Sequence, residues 1–299
     1  MHVFVTGASG HIGSAVVDEL LEAGHRVTGL ARSDTSAAAL TAKGVEVHRG
    51  DLGDLDGLRA AAAAADGVIH LAYRDDFDND FVGAAETDLR VVNAMGEVLA
   101  GSDRPLVNTS GTLLLAGVAQ GRTATENDVA EAGPRIDSEN ATIAMAERGV
   151  RSSVVRLSPL VHSRLDHHGF AHRLIDIARE KGVAAYVGDG SNRWPAVHTL
   201  DAARLYRLAV EAAPAGTRLH GVADEGVPFR EIAALIGRHL DLPVASISAE
   251  EAYEHFGFLS VFGSLDNPTS SALTQKVLDW HPDGPGLIED LDAGHYFQQ

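Results

Sequence analysis

The chain opens on an apolar run, His2-Val3-Phe4-Val5, which passes directly into Thr6-Gly7-Ala8-Ser9-Gly10-His11-Ile12-Gly13. A strand that ends in glycines at three-residue intervals and continues as a helix can serve as a pyrophosphate cradle. Gly7 permits the tight turn, Gly10 lets backbone approach the phosphates with no Cβ between, and Gly13 lets the helix pack on the sheet. The unpaired N–H groups and dipole of the helix N-terminus then face the anion. A bare strand-to-helix turn uses glycines too, so the flanking pattern matters. Residues 12–23 carry Ile12, Ala15, Val16, Leu20 and Ala23 on one helical stripe, Gly24 follows, and 26–31 alternate as a second strand. This context predicts dinucleotide binding by Gly7, Ser9, Gly10, His11, Ile12 and Gly13. A P-loop is excluded, because no Gly-Lys-Ser/Thr closes the motif.

Strand-like and helical stretches alternate up to about Pro159, with strands expected at 2–6, 26–31, 45–48, 67–71, 104–109 and 151–157 and a helix over 136–148. Such alternation predicts an α/β fold with a doubly wound parallel sheet. Beyond Pro159 short elements are broken by Gly188-Asp189-Gly190 and by prolines 195, 214, 228, 243, 268, 282 and 285. The predicted division is a nucleotide-binding domain over 1–158, with 193–212 returning to it, and a smaller substrate-binding region over 159–192 and 213–299.

The 299 residues are 45% hydrophobic, enough for a large core. There is no cysteine, which excludes disulfides, thiolate metal sites and a cysteine nucleophile and fits a reducing compartment. No apolar run reaches the length of a membrane span, and a cytoplasmic location is expected. A formal net charge of −18 without a basic run argues against nucleic acid or anionic membrane as partner. His162, His167, His168 and His172 cluster in sequence, but no complete ligand set accompanies them, so no metal is expected.

The spacing Thr-Gly-x-x-Gly-x-x-Gly resembles the short-chain dehydrogenase/reductase superfamily, in particular its extended and atypical branches with the NAD(P)-dependent epimerase/dehydratases. Gly50-Asp51-Leu52, Val68-Ile69-His70-Leu71-Ala72 and the stretch from Arg193 to Ala203 match further family landmarks in order. The resemblance implies a Rossmann-type sheet. It places Asp51 and Leu52 near the adenine, and Leu71 and Ala72 beside the cofactor ribose. It also makes a homodimer possible.

Where NAD-preferring relatives carry an acid after the second strand, this chain reads Ala31-Arg32-Ser33. A cation and a hydroxyl suit a 2′-phosphate, so Arg32 and Ser33 predict NADP(H) over NAD(H), with Asp34 as the competing acid.

The superfamily moves protons with a Tyr-x-x-x-Lys pair, since a phenol needs a nearby cation to act near neutral pH. No tyrosine here is followed four residues on by lysine. Aligned on Ser138, the resemblance puts Arg135 at the tyrosine position and Glu139 at the lysine position. The two form either a substrate clamp or a helical ion pair. Ser110, at the end of the fifth strand, matches the family residue that polarises the substrate carbonyl. Tyr73 and His162 are further candidate proton donors, and Trp194 is a candidate pocket wall. The expected activity is oxidoreduction of a small organic carbonyl, alcohol or activated double bond. The alternatives are a nucleotide-sugar-type epimerase/dehydratase and a non-catalytic NADP(H)-binding sensor.

Overall fold

A computed structural model describes residues 1–74 and 80–298. Its centre is a parallel seven-stranded sheet. Strands β1 (His2–Thr6), β2 (Arg26–Ala31) and β3 (Glu46–Arg49) run outward on one side of the first strand. On the other side follow β4 (Gly67–His70), β5 (Pro105–Gly111), β6 (Arg151–Leu157) and, at the far edge, Thr217–Gly221. The chain thus reverses direction across the sheet between β1 and β4, which opens a crevice at their carboxyl ends.

Alternation along β1 explains why both faces are covered. Val3 and Val5 enter one core with Val16, Val17 and Leu20 of α1 (His11–Glu22), while Phe4 enters the opposite core. Helices α2 (Asp34–Ala42), α3 (Leu55–Ala64) and α4 (Phe81–Leu99) follow their strands. Asp54 and Asp80 cap α3 and α4 by accepting from Gly57 N at 2.9 Å and Gly83 N at 3.0 Å. After the short α5 (Ala116–Ala119) comes α6 (Ile136–Ala144), whose expected last turn, Met145–Arg148, is a 3₁₀ turn.

Past β6, strand β7 (Leu160–His162) leaves the main sheet. Helix α7 (Phe170–Lys181) leads to β8 (Ala184–Val187) and then β9 (Arg193–His198), which pairs with β7 in parallel. Helix α8 (Thr199–Ala212) returns to pack on α1, and β10 (Thr217–Gly221) is the seventh strand of the main sheet. The expected return over 193–212 therefore holds for its helix only. Its strand pairs with β7 and with β11 (Asp224–Pro228), because Trp194 and Ala196 are apolar on the face of a separate core. That core also holds α9 (Phe229–Leu240), and β12 (Val244–Ile247) lies beside β8.

Candidate functional site

The glycine loop owes its shape to close backbone approach. Gly7 has φ +70°, and a Cβ there would lie 2.8 Å from Ala72 N; a Cβ on Gly13 would lie 1.9 Å from the Gly7 carbonyl oxygen. Gly10 differs, since its nearest neighbour, the Gly7 carbonyl oxygen, would be at 3.3 Å and the remaining space is open. Gly10 begins α1 without a side-chain cap, which leaves the first-turn amides without a side-chain acceptor.

A cleft of about 730 Å³ spreads from this loop. Its walls include Gly7, Ser9, Gly10, His11, Ile12 and Gly13, together with Arg32, Asp51, Leu52, Leu71 and Ala72. The sequence-expected cofactor residues thus converge, with one exception. Ser33 is not in the wall: its hydroxyl caps α2 by accepting from Ser36 N at 3.1 Å, and Ser36 lines the cleft instead. Arg32 forms no ion pair among the described residues, whereas Asp34 is held by Arg49 at 2.8 Å. The space above Gly10 and the uncapped start of α1 together fit a dinucleotide's pyrophosphate.

A second cavity of about 350 Å³ adjoins the first, and His11, Ile12, Leu71 and Thr109 line both. Its walls are mostly apolar, with Leu113, Leu114, Leu157, Phe170 and Phe262, and they carry Ser110 and Arg135. Ser110 is buried at the end of β5. Its hydroxyl lies near enough to Glu139 to favour that carboxylate's ionised form, yet it meets no partner of hydrogen-bonding geometry among the described residues. Arg135 precedes α6 with φ +65°, donates to the Thr109 carbonyl at 2.8 Å, and stacks over the Tyr73 ring at 3.9 Å. Tyr73 itself lines the dinucleotide cleft. Arg135 and Tyr73 therefore meet where the two cavities adjoin, and Ser110 lies in the wall of the second.

Three expected site residues lie elsewhere. Glu139 does not pair with Arg135 and lines neither cavity. It is buried between Arg156, whose Nε donates to both carboxylate oxygens at 3.1 Å, and Arg218 at 2.9 Å. Burial alone would raise its pKa, but the Arg156 and Arg218 guanidinium groups outweigh that and hold it below the usual range. His162 is fully buried on β7, where Val161 takes the cavity-facing position and alternation turns the imidazole away. Its Nδ1 meets Asp290 at 2.9 Å. Trp194 is fully buried in the second core against Phe229, with ring centroids 5.1 Å apart.

Two polar clusters were not legible in the chain. His70 bridges Thr6 at 2.6 Å and Asp88 at 3.2 Å, and Asp88 accepts from Ser138 at 2.5 Å. Desolvation pushes the buried Asp88 carboxyl up, but the His70 and Ser138 contacts and the nearby Arg135 charge hold it low. His11 meets Thr199 at 2.8 Å and lies 3.6 Å from Asp166, joining the glycine loop to α8 and to the turn before α7. Burial lowers the His11 pKa, against the pull of Asp166. Both clusters join segments far apart in sequence, and only an unusual His or Asp in an apolar stretch could have hinted at them.

Residues 3–220 match the model of the NAD dependent epimerase/dehydratase family. The chain belongs to that family. It is 50% identical over 299 residues to an uncharacterised protein of Schizosaccharomyces pombe, covering 99% of this chain and 100% of that one. A second uncharacterised protein, from Saccharomyces cerevisiae, is 43% identical over 300 residues, covering 99% of each. Sterol-4-alpha-carboxylate 3-dehydrogenase, decarboxylating, of Dictyostelium discoideum is 25% identical over 241 residues, 77% of this chain and 74% of the relative. The fold matches a dTDP-glucose 4,6-dehydratase of Streptomyces venezuelae, crystallised with NAD bound, at a TM-score of 0.80 and 18% identity, covering 100% and 97%. The epimerase/dehydratase family member described here is accordingly an NAD(P)-dependent enzyme of oxidoreductase type. No helix among the described residues is long and apolar enough to cross a membrane.

Proposed function

We propose that the protein is an NADP(H)-dependent oxidoreductase acting on a small organic carbonyl, alcohol or activated double bond. The supporting observation is the junction at which the glycine-loop cleft opens into the apolar cavity along His11, Ile12, Leu71 and Thr109. A bound nicotinamide dinucleotide supplies or accepts the hydride. The chain's own part is to bind and orient. Gly10 and the start of α1 receive the pyrophosphate, and Asp51 and Leu52 flank the adenine. Leu71 and Ala72 would border the cofactor ribose, and the Ser110 hydroxyl would donate to the substrate oxygen. Tyr73, in the wall of the dinucleotide cleft and under the Arg135 guanidinium, is the candidate for proton delivery.

Arg32 carries the preference for NADP(H): it stands in the cleft wall without a carboxylate partner among the described residues, while Arg49 occupies the competing acid Asp34. Calorimetric titration with NADPH, NADP⁺, NADH and NAD⁺ tests this, with Arg32→Ala alongside. We expect NADPH to bind at least about tenfold more tightly than NADH, and Arg32→Ala to erase the difference. Equal affinities in the wild type would remove the NADP assignment. Binding without turnover of any carbonyl in a labelled-NADPH screen would favour a sensor instead. The homodimer and cytoplasmic location belong to the same reading, and sedimentation of the purified protein checks the first.

A further inference from the structure

We propose that the substrate carries a carboxylate and that Arg135 is its anchor; the proposal rests on the oxidoreductase reading above. Arg135 is one helical turn before Glu139, the natural partner for a surface ion pair, but Glu139 is already shared by Arg156 and Arg218. Asp88 is within electrostatic reach of Arg135, yet its oxygens are taken by His70 and Ser138. Arg135 consequently has no ion pair among the described residues. Its Nε–H is buried and meets no acceptor among the described residues. One terminal nitrogen is satisfied by Thr109, and the Tyr73 ring covers the guanidinium plane.

A guanidinium held in this way is costly in the absence of an anion, because its charge is partly desolvated and a donor is left over. The backbone pays as well, since a non-glycine residue at φ +65° is disfavoured. Such strain at the wall of a cavity is a common mark of a binding group. The cavity itself selects the rest of the ligand. Leucine and phenylalanine side chains dominate it, and no Asp or Glu lines it among the described residues, in a chain with 42 acidic against 24 basic residues. Its size, about 350 Å³, suits a compact apolar body with one anionic end. Planar, bidentate pairing with a carboxylate is what arginine does and lysine does not.

The test uses 3-phenylpropanoate and 3-phenylpropanamide, which share shape and differ in charge. Each is titrated calorimetrically into the full-length protein, free and saturated with NADPH. We expect the acid to bind at least about tenfold more tightly than the amide, a preference that Arg135→Gln abolishes and Arg135→Lys restores in part, with NADPH affinity unchanged. Equal binding of acid and amide to the wild type overturns the proposal, whether or not the variants fold. So does an Arg135→Gln protein that loses NADPH while keeping the preference, because Arg135 would then serve the cofactor. If the acid is preferred but NADPH never binds, the carboxylate site stands and the oxidoreductase reading falls.

Discussion

Arg156 shows how far a single residue in a strand can be read. It interrupts the apolar run Val154-Val155-Arg156-Leu157, and a charge in a buried strand requires a carboxylate nearby. The sequence states the demand but not the partner. Glu139 lies 17 residues earlier on another element, and its local neighbour Arg135 offered a simpler match. The same blindness affected His162, where one step of strand alternation decides between cavity and core. Because the Arg156–Glu139 pair is fully buried, Arg156→Met should cost about 3 kcal/mol of stability, tempered by the remaining Arg218 contact. The double variant Arg156→Met/Glu139→Gln should recover much of that, as the uncompensated charge is gone. Urea denaturation of the three proteins measures both. A single variant within 0.5 kcal/mol of wild type, a threshold of about the size of an ordinary surface change, would contradict the account.

At the scale of elements the glycine motif was the most legible part of the chain, because its spacing, the preceding strand and the following helix all point to one geometry. The individual glycines nevertheless do different work. Gly10→Ala leaves the local packing almost intact, its nearest contact being a carbonyl at 3.3 Å, but it puts a methyl group where phosphate oxygens approach. It should fold with a thermal midpoint within about 2 °C of wild type. NADPH affinity should fall about tenfold or more. Gly13→Ala forces a Cβ to 1.9 Å from the Gly7 oxygen, so α1 must move. It should lose about 2 kcal/mol of stability in addition to nucleotide binding. Calorimetry of unfolding, paired with NADPH titration, separates the two outcomes, and equal stability losses would refute the distinction. The elements read least well were those with mixed faces. In β10, Thr217-Arg218-Leu219-His220-Gly221, Arg218 reaches Glu139 and His220 reaches Ser270. The polar residues of this segment, where no strand was expected, are thus satisfied inside the fold.

Across the whole molecule, the change in texture after Pro159 was the signal for the expected division of the chain, whereas the crossing points between the main sheet and the second core had none. They depend on pairings such as β10 with β6 that carry no local signal. One consequence of that closing strand is a pH-dependent stability. His220 accepts from Arg156 through Nε2 at 3.2 Å and must then donate from Nδ1 to the Ser270 carbonyl at 2.7 Å, an arrangement that only neutral imidazole satisfies. Burial pushes its pKa down to about 4. The unfolded chain takes up a proton near pH 6.5 and the folded one only near pH 4, so the native state loses stability as pH falls through that interval and not above it. Burial lowers His11, His198, His255 and His295 in the same direction, so the acid-side decline is shared. His220→Gln should therefore be less stable at pH 8 but flatter between pH 6.5 and 4 than wild type. Urea midpoints at half-unit pH steps, with the His220 Cε1 proton followed by NMR, provide the check. An imidazole titrating near 6.5, or a variant whose slope matches that of wild type, would show that the closing strand does not require the neutral ring.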